Sequence, residues 1–247
     1  MHKTARQKYV LDLLSERGQA SITELAEKLQ VSADTIRRDL TDLENQGLAQ
    51  KNHGGAIALN LSTMTRQSRN TLLPETKQRL GKRVAESVPA GSTLFLDAGS
   101  TVLAVASFLK GPLTVITTSL DIAHHVSDRE DIELILLGGR WDRKQRLFAG
   151  SATLSLLSRY RADIAILGAC AIDAELGLSA SQEADAEVKR AMLAASQRHW
   201  IVADHLKLNQ CEPYLVSGLS NIHQLFLDRP WAELGDHSAV QVTVCAH

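Results

Sequence analysis

From about residue 84 onward the chain alternates short apolar runs with stretches of helical periodicity, and no other feature restricts its fold as strongly. The runs are Thr93-Leu94-Phe95-Leu96, Leu113-Thr114-Val115-Ile116, Ile132 to Leu137, Ile164-Ala165-Ile166-Leu167 and Trp200-Ile201-Val202-Ala203, with a last pair near Leu225 and at Val240 to Val244. Helical patterns follow through Val102 and Leu109, from Leu120 to Val126, and from Glu183 to about Ser196. That alternation is the signature of a parallel sheet with crossover helices. The expected class is therefore α/β, with a mostly parallel sheet.

The ends of these runs carry the chemistry. The first leads into Asp97-Ala98-Gly99-Ser100-Thr101, the second into Thr117-Thr118-Ser119, the third into Gly138-Gly139, the fourth into Gly168 and the fifth into Asp204-His205-Leu206-Lys207. In an open parallel sheet all carboxyl ends share one edge, where ligands bind, so these groups are expected to converge. Gly99, Ser100 and Thr101 at a helix start offer backbone N–H groups, hydroxyls and the positive end of the dipole, a combination that suits a phosphate. Lys207 and Lys189 are candidate charge donors, although Val188, Ala191 and Met192 also allow Lys189 a core-facing stem. Asp97 and Asp204 either hold sugar hydroxyls or order their loops, and Gly138-Gly139 is either a ligand approach or a tight bend. His124 and His125 are adjacent, so they lack the i, i+4 spacing of a helical metal pair.

The first 57 residues read differently. Val10, Leu11, Leu13 and Leu14 recur at helical spacing between Thr4 and Arg17, with Gly18 as a stop. Ser21-Ile22-Thr23-Glu24 is a capping box opening a second helix with Leu25, Ala26 and Leu29 inward. After Gln30-Val31, Ser32 caps a third helix running to Gln46, with Gly47 ending it. Ile36, Leu40 and Leu43 form its buried stripe, leaving Asp34, Thr35, Arg37, Arg38 and Thr41 outward. Two short helices in tight succession with arginines early in the second match a helix-turn-helix whose second helix enters a major groove. His53-Gly54-Gly55 between residues 48–52 and 56–59 reads as a hairpin, the wing, with Lys51 on it. The candidate DNA contacts are thus Ser21, Thr23, Ser32, Asp34, Thr35, Arg37, Arg38, Thr41, Lys51 and His53.

Charge is unevenly placed in a chain of net −1. Residues 1–57 balance eight Lys/Arg with eight Asp/Glu, residues 58–83 hold six Lys/Arg against Glu75 alone, and residues 84–247 hold 13 against 19. Only the first third is suited to a polyanion. The expected organisation is a DNA-binding domain over residues 1–57, a basic linker over 58–74 and an effector-sensing domain over 75–247. No apolar run approaches a membrane span, the first twenty residues lack the apolar core of a secretory signal, and three scattered cysteines, Cys170, Cys211 and Cys245, form no disulfide or zinc pattern. A cytoplasmic protein without membrane partner, metal or cofactor is expected.

These residues resemble the DeoR family of bacterial sugar-metabolism regulators over nearly the whole chain. The likeness is carried by Val31-Ser32-Ala33-Asp34-Thr35-Ile36-Arg37-Arg38-Asp39-Leu40, Leu43-Glu44 and His53-Gly54-Gly55-Ala56, and by Asp97-Ala98-Gly99-Ser100-Thr101, Leu137-Gly138-Gly139, Glu187-Val188-Lys189-Arg190-Ala191-Met192 and Ala203-Asp204. It implies a sensor related in fold to ribose-5-phosphate isomerase, and repression of carbohydrate genes modified by a sugar phosphate or related metabolite. Departures from the family pattern fall at Ser100 (usually Thr), Thr118 (Asn), Cys170-Ala171 (Asp-Gly), His205-Leu206 (Ser-Ser) and Lys51 (Arg). The partners expected are double-stranded operator DNA, a small phosphorylated sugar and further copies of the chain. The rival reading, an isomerase with an appended domain, requires a positioned general base, and Gly168-Ala169-Cys170-Ala171 offers no carboxylate there. A plain protein-interaction module, in turn, requires that DNA binding show no salt dependence because there is none.

Overall fold

Apolar stripes at helical spacing build the first unit. The computed structural model describes residues 2–17, 19–45, 48–52, 54–58, 69, 72–235 and 240–245. These divide into one unit of residues 1–64 and 71–73 and another of 65–70 and 74–247. In the first, Val10, Leu13 and Leu14 of α1 (Lys3–Arg17) pack with Leu25 of α2 (Ile22–Leu29) and with Ile36, Leu40 and Leu43 of α3 (Ala33–Asn45). Gln30 turns the chain between α2 and α3 in the left-handed region (φ 51°), where its N–H meets the carbonyls of Ala26 and Glu27.

Three short antiparallel strands close this unit, in the order β1 (Gln19–Ser21), β3 (Gly55–Ala58), β2 (Ala49–Asn52). β2 and β3 form the expected wing, whereas β1 is a strand that three residues could not announce. A Cβ on Gly55 would lie 2.0 Å from the Ala20 carbonyl oxygen, so the close approach of β3 to β1 requires glycine there. Readings placed on Gly18, Gln46, Gly47, His53, Leu59 and most of 58–74 fall outside the described residues.

The capping box is half realised: Ser21 Oγ accepts the Glu24 N–H at 3.1 Å, but the Glu24 carboxylate takes Arg17 (2.9 Å) and Lys28 (3.1 Å). A stronger tie passed unnoticed in the sequence. Asp39, on the inward side of α3 and 2% exposed, receives both Arg6 Nε and Arg6 Nη2, pinning α1 to α3.

In the second unit seven parallel strands run in the order β15 (Gln241–Val244), β14 (Gln224–Leu227), β12 (Ser196–Ala203), β9 (Ala162–Gly168), β4 (Thr93–Leu96), β5 (Leu113–Thr117), β6 (Ile132–Leu136). Residues alternate between two cores, one on each face. Ile164, Ile166, Leu94 and Leu96 face α4 (Pro74–Glu86), α5 (Ser100–Phe108) and α6 (Leu120–Val126), while Ala165, Leu167 and Phe95 face α7 (Ser151–Leu157) and α8 (Glu183–Ala194). The mostly parallel α/β class holds.

Several elements were not read from the sequence. The inward face of α4 includes Lys77 and Gly81 beside Leu80 and Val84, which breaks its apolar stripe. The hairpin β7 (Arg140–Asp142) with β8 (Leu147–Ala149), and the antiparallel sheet of β10 (Ala171–Asp173), β11 (Gly177–Ala180) and β13 (Tyr214–Ser217), use strands of three or four residues, too short for a period-two signal.

Removing one partner of a buried, doubly hydrogen-bonded ion pair costs about 2–3 kcal/mol. Asp39→Ala is therefore expected to speed amide exchange in α1 and α3 by roughly 30- to 150-fold, measured by hydrogen exchange on the full chain; unchanged protection would remove this pair from the list of anchors.

Candidate functional site

The outward face of α3 begins at Ser32, whose hydroxyl accepts the Thr35 N–H at 3.2 Å and lies 2.9 Å from Thr35 Oγ1. Ser32 and Ser21 thus spend their hydroxyls on helix starts. Asp34, Arg37 and Arg38 are exposed, Thr35 and Thr41 half-buried, and Thr23 is exposed on α2. Arg37 Nη1 donates to Asp34 Oδ1 at 2.5 Å across one helical turn. Such exposed i, i+3 pairs are weak, so this one can be exchanged for a stronger bidentate acceptor. The wing is tied to the same helix: Lys51 Nζ donates to Thr41 Oγ1 (3.0 Å) and the Lys51 N–H to Glu44 Oε1 (3.0 Å). Glu44 therefore positions the wing, a role visible only once the chain is folded.

In the second unit the chain runs outward from β4 through β5 to β6, then returns to β9 beside β4 and proceeds through β12, β14 and β15. The switch point lies between β4 and β9, and in open α/β sheets that is where a crevice opens. Asp97 follows β4 there. It is fully buried, and its Oδ2 accepts Lys189 Nζ and the Gly168 N–H (3.1 Å), while Oδ1 has no partner among the described residues. Gly99 caps α5 in extended conformation without a side-chain hydrogen bond, and its Cα comes near that of Gly168. Ser100 and Thr101 thus sit at a helix start facing the switch point, with no side chain filling it from the cap.

The end of β5 divides its three polar residues by role. Thr117 Oγ1 donates to the Leu96 carbonyl (2.7 Å) and accepts the Ser119 N–H (3.0 Å), and Ser119 Oγ caps α6 through the Ile122 N–H (3.3 Å). Thr118 Oγ1, in contrast, is buried and unpartnered among the described residues. Gly138 gives its carbonyl to Thr153 Oγ1 (2.9 Å), and Gly139 (φ 152°) has Thr153 Oγ1 2.0 Å from the place a Cβ would occupy. This glycine pair is therefore held as a tight bend packed on α7.

Lys189 sits where an open phosphate donor is not available. It is 1% exposed and bound by Asp97 and by Asp185 Oδ1 (3.1 Å), one turn earlier on α8. Burial alone would drive its proton off, but Asp185 and Asp97 outweigh that and hold the ammonium above its usual range. Burial pushes Asp97 upward; Lys189 opposes this and Asp185 adds to it. Asp185, unnoticed in the sequence, is thus the second counter-charge, and its i, i−4 spacing from Lys189 was the signal. Asp204 Oδ1 takes the Leu206 N–H (3.1 Å) and orders the turn that carries Lys207, a half-buried lysine whose pKa burial lowers. Half-buried Cys170 lies 3.5 Å from Asp185 Oδ2, its thiol pushed up to about 11 by burial and by Asp185.

Among the described residues no group of three or more His, Cys, Asp or Glu is arranged to hold a metal, and no helix is long and apolar enough to cross a membrane. The His124 and His125 side chains are exposed.

Comparison with known proteins places both units. Residues 6–62 match the family described as DeoR-like helix-turn-helix domain, and residues 73–229 that described as DeoR C terminal sensor domain. The chain is 34% identical over 253 residues to a glycerol-3-phosphate regulon repressor of Escherichia coli K12, covering 99% of this chain and 100% of that protein. It is 34% identical over 251 residues to the HTH-type transcriptional repressor GlcR of Bacillus subtilis, covering 99% and 97%. Among solved structures, ribose 5 phosphate isomerase A from Neisseria gonorrhoeae aligns with 54% of this chain and 53% of its own, at 19% identity and a TM-score of 0.39.

A thiol with a pKa near 11 is about one-thousandth ionised at pH 8. Thiol-reactive dye at that pH is expected to modify exposed Cys211 first and Cys170 far more slowly; equal rates would show that burial and the Asp185 carboxylate do not restrain Cys170.

Proposed function

The chain belongs to the DeoR family of DNA-binding transcriptional regulators, and on that premise we propose that it represses carbohydrate-metabolism genes under control of a small phosphorylated sugar or related metabolite. The observation that carries the ligand half is the start of α5 at the switch point. Gly99 leaves the first amides of the helix without a side-chain cap, and the buried Asp97 Oδ1 and Thr118 Oγ1, just beyond β4 and β5, have no partner among the described residues. Backbone donors at a helix N-terminus take a phosphate, and the Thr118 hydroxyl suits a sugar hydroxyl. The names of the E. coli and B. subtilis relatives, both repressors and one of a glycerol-3-phosphate regulon, support the same reading.

The DNA half rests on Arg37 and Arg38, exposed on a helix whose opposite side is entirely core. Arginine grips guanine O6 and N7 bidentately, discriminating by about 1–3 kcal/mol per base. We read Ser21, Thr23, Ser32, Asp34, Thr35 and Thr41 as shaping that face, Lys51 as a phosphate contact, and the assembly as a homo-oligomer bearing paired heads, since paired heads read spaced half-sites. Ligand acts by unequal affinity for two arrangements of those heads. In the crevice we assign Gly99, Ser100, Thr101 and Thr118 to the ligand, and Asp97, Thr117, Ser119, Gly138, Gly139, Lys189 and Asp204 to the frame that holds them. Lys207 is its cation.

The isomerase alternative is disfavoured by the crevice itself, where Lys189 is neutralised by two carboxylates and Cys170 retains its proton. Ribose 5-phosphate is expected to give no turnover, and measurable isomerisation would reverse the assignment.

Arg37→Ala is expected to relax base preference at one operator position by about 1–3 kcal/mol, and Lys51→Ala to weaken operator and random DNA alike while lowering the salt slope by about one. Equal losses on both DNAs for both variants would contradict the roles. Ser100→Asp is expected to abolish release of operator by organic phosphates while leaving operator binding intact, read by gel shift with and without ligand; retained release would remove the α5 start from the ligand site.

A further inference from the structure

The basic stretch of residues 58–83 is only partly a linker, because Arg79, Lys82 and Arg83, three of its six Lys/Arg, lie on α4 of the sensor unit. With Glu86 they stand at i, i+3, i+4 and i+7, so they share one side of that helix. Leu80, Gly81 and Val84 face the other way and are buried. These four side chains, together with Val244 at the end of the edge strand β15 and Cys245 just beyond it, line a cavity of about 310 Å³. Small-ligand sites begin at about that size. β15 lies three places along the sheet from β9, so this cavity is separate from the switch-point crevice.

Its charges are unbalanced. No carboxylate comes within ion-pair distance of Arg79, Lys82 or Arg83. Lys82, Arg83 and Glu86 are exposed, whereas Arg79 is half-buried, its Nη2 donating to Thr76 Oγ1 at 3.3 Å and its Nε buried without an acceptor among the described residues. Asp228, next in the chain to Leu227, whose carbonyl takes the Cys245 N–H at 2.7 Å, is engaged by His205 Nδ1 at 2.6 Å. Burial pushes the Cys245 thiol up, against the pull of Arg83 and Arg79, so the wall facing the cations is uncharged.

We propose that this cavity is a second anion site of the sensor unit, holding a compact phosphate dianion, free or as a small monoester, between Arg79, Lys82 and Arg83. The two guanidinium forks match phosphate oxygens, and an oxygen beside Arg79 supplies the acceptor that its Nε lacks. Val244 and the neutral thiol offer an apolar wall to the carbon skeleton of an ester. A recess of this size suits a compact dianion better than the phosphodiesters of DNA, whose single charges are strung along a line.

The test uses full chains: wild type, Ser100→Asp to close the crevice, and Arg83→Gln and Arg83→Lys alone and combined with Ser100→Asp. The Arg83 guanidinium is exposed and makes no hydrogen bond among the described residues, so its loss leaves the fold intact. Calorimetry with glycerol 3-phosphate and with inorganic phosphate reads the number of sites and the affinity of each, and the tighter probe identifies the ester or the free ion. Ser100→Asp is expected to keep one site, which Arg83→Gln weakens by about 10-fold or more and Arg83→Lys restores in part. Binding by Ser100→Asp that Arg83→Gln leaves unchanged, or no binding of either probe by Ser100→Asp at millimolar concentration, overturns the second site. Loss of operator affinity with a shallower salt slope in Arg83→Gln, beside unchanged phosphate binding, overturns it too and assigns the cations to the DNA backbone. Two sites surviving in Ser100→Asp, one of them removed by Arg83→Gln, refute the crevice assignment and leave the second site standing.

Discussion

Lys189 carries a full positive charge with no access to water, and the ligand half of the molecule is arranged around that fact. An isolated buried ammonium would cost several kcal/mol and give up its proton; two carboxylates prevent this. One, Asp185, comes from the same helix a turn away, whereas the other, Asp97, comes from the end of β4 and also accepts the Gly168 N–H at the end of β9. The ionic cluster therefore clamps α8, β4 and β9 together at the switch point.

The same device recurs in the small unit at lower depth. Arg6 and Asp39 join the first and third helices through two hydrogen bonds, and the third helix thereby projects Arg37 and Arg38 from a fixed base. In both units an internal ion pair supplies geometry, and the groups proposed to meet a partner are the ones left outside it.

The architecture was legible where the signal was long. Seven apolar runs announced the parallel sheet, and the Ile36, Leu40, Leu43 stripe announced α3 and with it which arginines face outward. Short or mixed elements were hidden for physical reasons: β1 has three residues and takes its stability from Gly55 fitting against Ala20, and α4 turns a lysine and a glycine inward. Within the crevice, residue type and position on the strand ends were readable, but not what each side chain is bonded to. Thr117, Thr118 and Ser119 are near-equivalent as letters, yet the side chains of two are engaged in holding the backbone and that of Thr118 has no partner among the described residues. Lys189 looked like a charge for a ligand because one of its two carboxylate partners, Asp97, lies ninety-two positions earlier in the chain.

The Asp34–Arg37 pair has a consequence for how the head samples a genome. A guanidinium already occupied by its own neighbour presents little net attraction to a featureless polyphosphate surface, and residues 1–57 are charge-balanced besides. On the proposed role of Arg37, sites lacking a suitable purine hold the protein only briefly, while a correctly placed guanine displaces the carboxylate with two parallel hydrogen bonds. Selectivity against the vast excess of competing sequence thus comes partly from a low baseline stickiness, which shortens dwell times at the wrong address instead of lengthening them at the right one.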